Sequence, residues 1–263
     1  MPDVTTPYAP GTPCWVDLAA PDQQAALDFY ADLLGWSGEI GPSETGGYAV
    51  CRLNGKPVAG IMAAVPMGDQ PAPPTVWTTY LSAADADATK QSVESAGGTV
   101  LMPVMDVMSL GRMFLAADPT GAVFGVWQPV DFPGAGVVNE SGALIWNELN
   151  TSDRSAASAF YRAVFGIESA TMEGAPHYYS LNVNEHAVGG MQPMPEQLPA
   201  DTPSHWLTYF AVADADAAVA KVTAAGGNAI KEPFDMIAGR MAIVTDPQGA
   251  VFAMIHPKPM TQG

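Results

Sequence analysis

Gly111-Arg112-Met113, followed by Asp118-Pro119-Thr120-Gly121-Ala122, is written a second time as Gly239-Arg240-Met241 and Asp246-Pro247-Gln248-Gly249-Ala250, 128 positions on (246 − 118 = 128). Moving outward, Trp77-Thr78-Thr79-Tyr80 returns as Trp206-Leu207-Thr208-Tyr209 (206 − 77 = 129), and Trp15-Val16-Asp17-Leu18 as Trp146-Asn147-Glu148-Leu149 (146 − 15 = 131). Phe29-Tyr30 and Gly35 recur as Phe160-Tyr161 and Gly166 at the same displacement. A period of this length marks two copies of a domain-sized unit, not a solenoid of short repeats. The 263 residues therefore divide into 1–136 and 137–263, each large enough to bury a core. Pro129 to Gly142, rich in glycine and short of periodic apolar positions, reads as the linker.

Within the first copy, Cys14 to Ala19 reads as a strand and Pro21-Asp22 as a helix opening, with proline and an acid where a helix N-terminus favours both. Ala26, Phe29, Tyr30, Leu33 and Leu34 follow at helical spacing, and Gly35 ends the run. Asn54-Gly55 joins two strand-like stretches as a hairpin turn. After a proline-rich connector from Pro66 to Pro74 the plan repeats: a strand to Ser82, a helix from Asp85 closed by Gly97-Gly98, then three strands. Each copy is thus a pair of β-α-β-β-β modules, and the fold class is α+β, two tandem domains with helices outside a mainly antiparallel sheet.

Charge narrows the partners. Ten Lys and Arg against 27 Asp and Glu give a net charge of −17, which opposes phosphate backbones and anionic lipid surfaces. No nucleic acid and no membrane partner is expected. The N-terminus shows no basic-then-apolar signal and no apolar run approaches a membrane span, so a cytoplasmic protein is expected. Cys14 and Cys51 lie in one copy and form no Cys-x-x-Cys pattern; a disulfide or two buried thiols both fit.

Phe29-Tyr30-x-x-Leu33-Leu34-Gly35 and its copy, the acid-Ala-acid helix starts (Asp85-Ala86-Asp87, Asp214-Ala215-Asp216), the Gly-Gly helix ends and Asp-Pro-x-Gly resemble the glyoxalase/bleomycin-resistance/extradiol-dioxygenase superfamily. The likeness spans residues 11–129 and 142–257. Gly11-Thr12-Pro13-x-Trp15-Val16-Asp17-Leu18, Trp146-Asn147-Glu148-Leu149 and His205-Trp206 resemble more closely the tandem actinomycete members called hydroxylases, antigens or antibiotic-pathway proteins. The resemblance implies that paired modules curl their strands into half-barrels around cavities. It also implies four cavity-facing metal positions per copy. These fall on Trp15, Thr78, Gly125 and near Gly60, and on Trp146, Leu207, Ala253 and Gly190 (or Gly189). None supplies a nitrogen, carboxylate or thiolate ligand, so no metal and no cofactor is expected. Glu148 with His205, two residues before Leu207 on the same strand face, is the one alternative that would make half of a metal site.

Alternation along a strand puts Asp17 on the face of Trp15, Tyr80 on that of Thr78, and Trp127 on that of Gly125. The second copy pairs Trp146 with Glu148, Leu207 with Tyr209 and Ala253 with Ile255. Trp, acid and Tyr beside small residues describe a slot for a flat apolar ligand. A carboxylate among such rings loses solvation and is tuned towards general acid or base work. Alternatively, Asp17 and Glu148 pair with the recurring Arg112 and Arg240 and only join strands. Met102, Met105, Met108 and Met113 stand where a cavity mouth would be, although chance clustering explains them equally well.

Three functions remain from sequence: a metal-free binder of an aromatic natural product, acting by sequestration or in pathway tailoring; a metal-free catalyst using Asp17 or Glu148 on a polyketide; and a glyoxalase-type metalloenzyme. With four modules in one chain, a pseudo-twofold monomer is expected.

Overall fold

The computed structural model describes residues 4, 6–66, 71–172, 174–196, 198–199 and 201–258. In the N-terminal half the order is β1 (Pro13–Ala20), α1 (Gln23–Leu34), β2 (Ala49–Leu53), β3 (Lys56–Ala63), β4 (Trp77–Ser82), α2 (Ala86–Ser95), β5 (Thr99–Val107), β6 (Gly111–Ala117) and β7 (Val123–Pro129). The C-terminal half follows with β8 (Leu144–Thr151), α3 (Arg154–Phe165), β9 (Glu168–Met172), β10 (Ala175–Val183), β11 (His186–Pro193), β12 (His205–Ala211), α4 (Ala215–Ala224), β13 (Asn228–Met236), β14 (Gly239–Thr245) and β15 (Val251–Pro257). Each half forms one curved, open sheet, ordered β2-β3-β1-β4-β7-β6-β5 and β13-β14-β15-β12-β8-β11-β10-β9. The central pairs β1–β4 and β8–β12 run antiparallel, while β1–β3, β4–β7, β8–β11 and β12–β15 are parallel. Two α+β units are the expected class. No helix among the described residues is long and apolar enough to cross a membrane.

Local chemistry sets the element ends. Asp22, Asp85, Asp153 and Asp214 cap the four helices through their carboxylates, satisfying first-turn N–H groups. Asp22 is therefore the cap itself, one place outside the first turn. Gly35 and Gly166 close α1 and α3 in the left-handed region, at φ 76° and 69°.

One module departs from the expected plan. Between α1 and β2 the chain makes only a single bridge, Ser37 to Arg52, and a short 3-10 turn at Ser43–Thr45, where the C-terminal half forms β9. The connector expected from Pro66 to Pro74 lies partly outside the described residues, at 67–70. The stretch expected as a linker is packed, not loose. Ala135 N–H donates to Cys14 O (2.8 Å), Gly136 N–H to Pro57 O (2.7 Å), and Trp36 Nε1 to Gly142 O (2.6 Å). Of the four methionines near Gly111, Met113 packs into the concave cluster, while Met105 and Met108 are exposed. Cys14 and Cys51 are free thiols, both buried.

The cores cross between halves. The face of α1 packs with β1–β3 and also with α4, Phe210 and Phe252; α2 and β7 share a core with α3, Leu181 and Trp206. Tyr30 Oη accepts from Trp77 Nε1 (3.0 Å) and donates to Asp246 Oδ2 (3.1 Å) in the other half. Its twin Tyr161 accepts from Trp206 Nε1 (2.9 Å) and lies against Asp118. Asp118 and Asp246 also accept the backbone N–H groups of their own Asp-Pro-x-Gly turns. Trp77 and Trp206 sit beneath the helices, as their phase in the strands predicts.

A paired tyrosine and carboxylate site on each concave face

The concave faces carry the residues singled out by alternation. In the N-terminal half, β1 sets Asp17 opposite Thr78 on one side and Gly60 on the other, and Trp15 opposite Tyr80, which in turn faces Gly125. In the C-terminal half, Glu148 lies opposite Leu207 and Gly190, Trp146 opposite Tyr209, and Tyr209 opposite Ala253. His205 is in register with Asn150, on the face of Glu148 and Leu207. Trp127 and Ile255 complete the two apolar clusters.

A second tyrosine in each half, which alternation did not find, joins these residues. Trp15 Nε1 donates to Tyr48 Oη (2.8 Å), and Tyr48 Oη donates to Asp17 Oδ2 (3.2 Å). Trp146 Nε1 donates to Tyr178 Oη (2.8 Å), whose hydroxyl in turn stabilises Glu148. The tyrosines are 130 positions apart (178 − 48), inside the 131-to-129 drift of the repeat, so the duplication itself carried the signal. They explain the glycines at the positions where the resemblance puts metal-binding groups. A Cβ built on Gly60 would lie 1.8 Å from Tyr48 Oη, and one on Gly190 1.9 Å from Tyr178 Oη; at Gly125 it would meet the Tyr80 ring at 2.2 Å. The phenols fill the volume that a ligating side chain would need. Among the described residues no group of three His, Cys, Asp or Glu side chains is placed to hold a metal ion. Trp15, Thr78, Gly60 and Gly125, and Trp146, Leu207, Gly190 and Ala253, do not fit a three-ligand site.

Both acids are buried, and neither is paired with Arg112 or Arg240. Arg112 pairs instead with Asp87 (2.7 Å) and Asp106 (3.0 Å), and Arg240 with Asp216 (2.5 Å) and Asp235 (3.5 Å), all exposed acids at helix starts or sheet edges. The expected pairing of Asp17 with Arg112 and Glu148 with Arg240 is thus corrected. Burial raises the Asp17 carboxyl from 3.8 to about 7, opposed by the Tyr80 and Tyr48 hydroxyls; Oδ1 accepts no hydrogen bond. Burial raises Glu148 as well, opposed by Tyr178, Tyr209, Gln192 and Asn150. Gln192 Nε2 donates to both Glu148 Oε1 (2.8 Å) and Asn150 Oδ1 (3.0 Å). Gln192 and Asn150 were not foreseen, because neither has a polar counterpart in the first copy.

The covers of the two faces differ. Over the N-terminal face, Phe132 meets Trp15 edge-on at 5.0 Å, and Tyr8 Oη donates to Ala135 O at 2.7 Å; Trp15, Tyr80 and Trp127 are buried. In the C-terminal half Trp146, Tyr178 and His205 remain half-buried. A surface depression of about 500 Å³ lies elsewhere, lined by α2 residues and Ala163 of α3. Its lining holds no ring and no buried polar group.

Comparison with known proteins agrees with this fold. Residues 14–126 and 143–254 each match the family model described as Glyoxalase/Bleomycin resistance protein/Dioxygenase superfamily. The protein CFP32 of Mycobacterium tuberculosis is 46% identical, over 96% of this chain and 97% of its own. The anthracycline biosynthesis protein DauV of a Streptomyces species is 37% identical, over 95% of each chain. The crystal structure of a Mn(II)-bound glyoxalase from Novosphingobium aromaticivorans superposes with a TM-score of 0.63 at 19% identity, covering 94% of this chain and 82% of that one, and shows likeness of fold.

Proposed function

Since the chain belongs to the Glyoxalase/Bleomycin resistance protein/Dioxygenase superfamily, we propose that it is a metal-independent member that holds an aromatic or apolar small molecule on a concave sheet face, for sequestration or tailoring. One observation carries this reading: tyrosine hydroxyls stand within 2 Å of where a Cβ at Gly60 or Gly190 would be, so the strand positions that would present metal ligands are closed by phenols. What remains is a Trp, two Tyr and a protonatable acid, a set that grips a flat ring and offers it one polar contact. The name shared by the Streptomyces relatives supports an aromatic natural product as the ligand class.

Catalysis is a second reading, favoured by the elevated Asp17 and Glu148 carboxyls. The Asp17 carboxyl, raised to about 7, exchanges a proton with a bound phenol or enol at low cost, and Glu148 is shifted in the same direction.

Thermal unfolding with 1,8-dihydroxyanthraquinone, with and without chelator, tests the leading reading. Saturation a hundredfold above Kd should stabilise the native state by about 2.7 kcal/mol. The shift should survive chelation. Loss of the shift on chelation, restored by Mn²⁺ or Zn²⁺, would return the protein to the metal-dependent class.

A further inference from the structure

The two concave faces are built alike but finished differently. In the N-terminal half, Phe132 lies edge-on to Trp15 (5.0 Å between centroids, 87°) and to Trp127 (6.1 Å, 77°). Its backbone is fixed there: Trp127 Nε1 donates to Phe132 O (2.8 Å), and Phe132 N–H donates to Leu110 O (3.1 Å). Gly134, at φ 118°, passes so near Cys14 O that a Cβ would meet it at 2.3 Å. The chain thus lays one of its own rings on its own tryptophan. In the C-terminal half Trp146 is half-buried, and no aromatic ring stacks on it among the described residues. The repeat position of Phe132 is Met260 (132 + 128 = 260), outside the described residues, and that of Trp127 is Ile255.

We propose that the C-terminal concave face is the ligand site, that Phe132 occupies in the N-terminal half the place a ligand ring takes against Trp146, and that the ligand is a hydroxylated aromatic. This rests on the aromatic-binder reading and assigns it to one half. The ring follows from the Phe132–Trp15 pair. The hydroxyl follows from polar groups present only in the C-terminal half. Gln192, Asn150 and His205 stand where the first copy has Met62 (192 − 130), Ala19 (150 − 131) and Val76 (205 − 129). The Gln192 amide nitrogen is committed to Glu148 and Asn150, so what Gln192 offers a ligand is its carbonyl oxygen. His205 Nδ1 lies 2.9 Å from Pro203 O, a contact that puts the imidazole proton there and leaves Nε2 as an acceptor. Two acceptors on the sheet face that carries Trp146 and Glu148 favour a ligand with a hydroxyl donor.

Calorimetric titration of the full chain with 1-naphthol, and with 1-methoxynaphthalene as the analogue lacking the O–H, tests this. The parent should bind one naphthol per chain. Trp146→Phe should weaken it about tenfold, the size of one aromatic pair, and methylation of the hydroxyl about tenfold, the size of one hydrogen bond. Trp15→Phe should leave affinity unchanged. Phe132→Ala should raise the stoichiometry from one to two, and Phe132→Leu, which keeps the volume filled, should not. One site that responds to Trp15→Phe and ignores Trp146→Phe would overturn the assignment while leaving the aromatic-binder reading intact, as would a stoichiometry of one in Phe132→Ala. Equal affinity for the methyl ether would overturn the hydroxyl. Failure of either naphthalene to bind any variant would instead remove the underlying binder reading, and this assignment with it.

Discussion

Asp17 and Glu148 occupy the same place in two copies of one framework, each under a tryptophan-held tyrosine and beside a second tyrosine, yet they live in different surroundings. Both are buried, but Asp17 has one oxygen unbonded beside a Trp15 that Phe132 meets edge-on, whereas Glu148 is held by Gln192, Asn150 and two phenols beside a half-buried Trp146. The difference shows that strand register and the tyrosine clasp belong to the fold, whereas the cover and the polar rim are free to diverge. One tryptophan has been buried by its own chain, and its twin remains half-buried.

The largest expected effect probes how tightly each clasp is closed. Gly60→Ala drives a methyl into Tyr48 beneath a buried Trp15 and should destabilise the protein by about 3 kcal/mol, near the upper end for overpacking. Gly190→Ala meets Tyr178, half-buried like Tyr48, but beside a Trp146 that is half-buried where Trp15 is buried, so about half that loss is expected. Denaturant unfolding measures both, and equal losses would remove the distinction between a sealed and an open half.

Next comes pH. Asp17 titrates at about 7 in the native state and near its ordinary 3.8 when unfolded, so between these values the native state holds the extra proton. The contribution of Asp17 to stability therefore falls as pH rises from about 4 to about 7, by at most about 1.4 kcal/mol per unit for one proton, and levels off above, against the opposite contribution of acids held low by a cation, such as Asp216 beside Arg240. Asp17→Asn should flatten this slope. Glu148→Gln should change it less, since four polar neighbours oppose the rise there. A parent and an Asp17→Asn variant with the same slope over this interval would show that Asp17 does not hold the extra proton.

The smallest effect concerns the seam between the halves. Thr79 Oγ1 donates to Asn147 Oδ1 across it (2.8 Å), while the twin Thr208 faces a repeat in which Val16 replaces Asn147, and its buried hydroxyl has no partner. Thr208→Val should raise stability by about 1 kcal/mol and Thr79→Val lower it by a similar amount. Opposite signs at equivalent positions are the result to look for in melting curves.

Much of this was legible in the chain. Period-two alternation fixed which residues share the concave faces, and the Asn54-Gly55 turn and helix-capping aspartates set register and ends, because those signals are local. Tyr48 escaped although it falls in the strand-like stretch before Asn54-Gly55: the alternation was followed only on the strands of Trp15, Thr78 and Gly125, and its recurrence at Tyr178 was the signal that could have marked it. The arginines misled for a different reason. Recurrence of Arg112 and Arg240 shows a shared constraint without naming the partner, and the nearer partners were the second acids of the acid-Ala-acid helix starts, Asp87 and Asp216. The bond from Tyr30 to Asp246 spans 216 positions and links two motifs that each read as self-contained. No window along the sequence contains both.

That crossing sets the timetable of synthesis. Tyr30 on α1 rests 5.7 Å from Phe252 on the last strand, and the Gln248 side chain brackets the backbone of Asp22, donating to its O and accepting from its N–H (2.8 Å each). When β7 leaves the ribosome, the first helix still lacks Phe252, Asp246 and Gln248. At roughly 5–20 residues per second, the remaining strands arrive on the order of ten seconds later. For that interval the nascent N-terminal half presents Tyr30 and its neighbours to the cell as an uncovered apolar face, so the period of greatest exposure to chaperones, proteases and neighbouring chains falls before the polypeptide is finished.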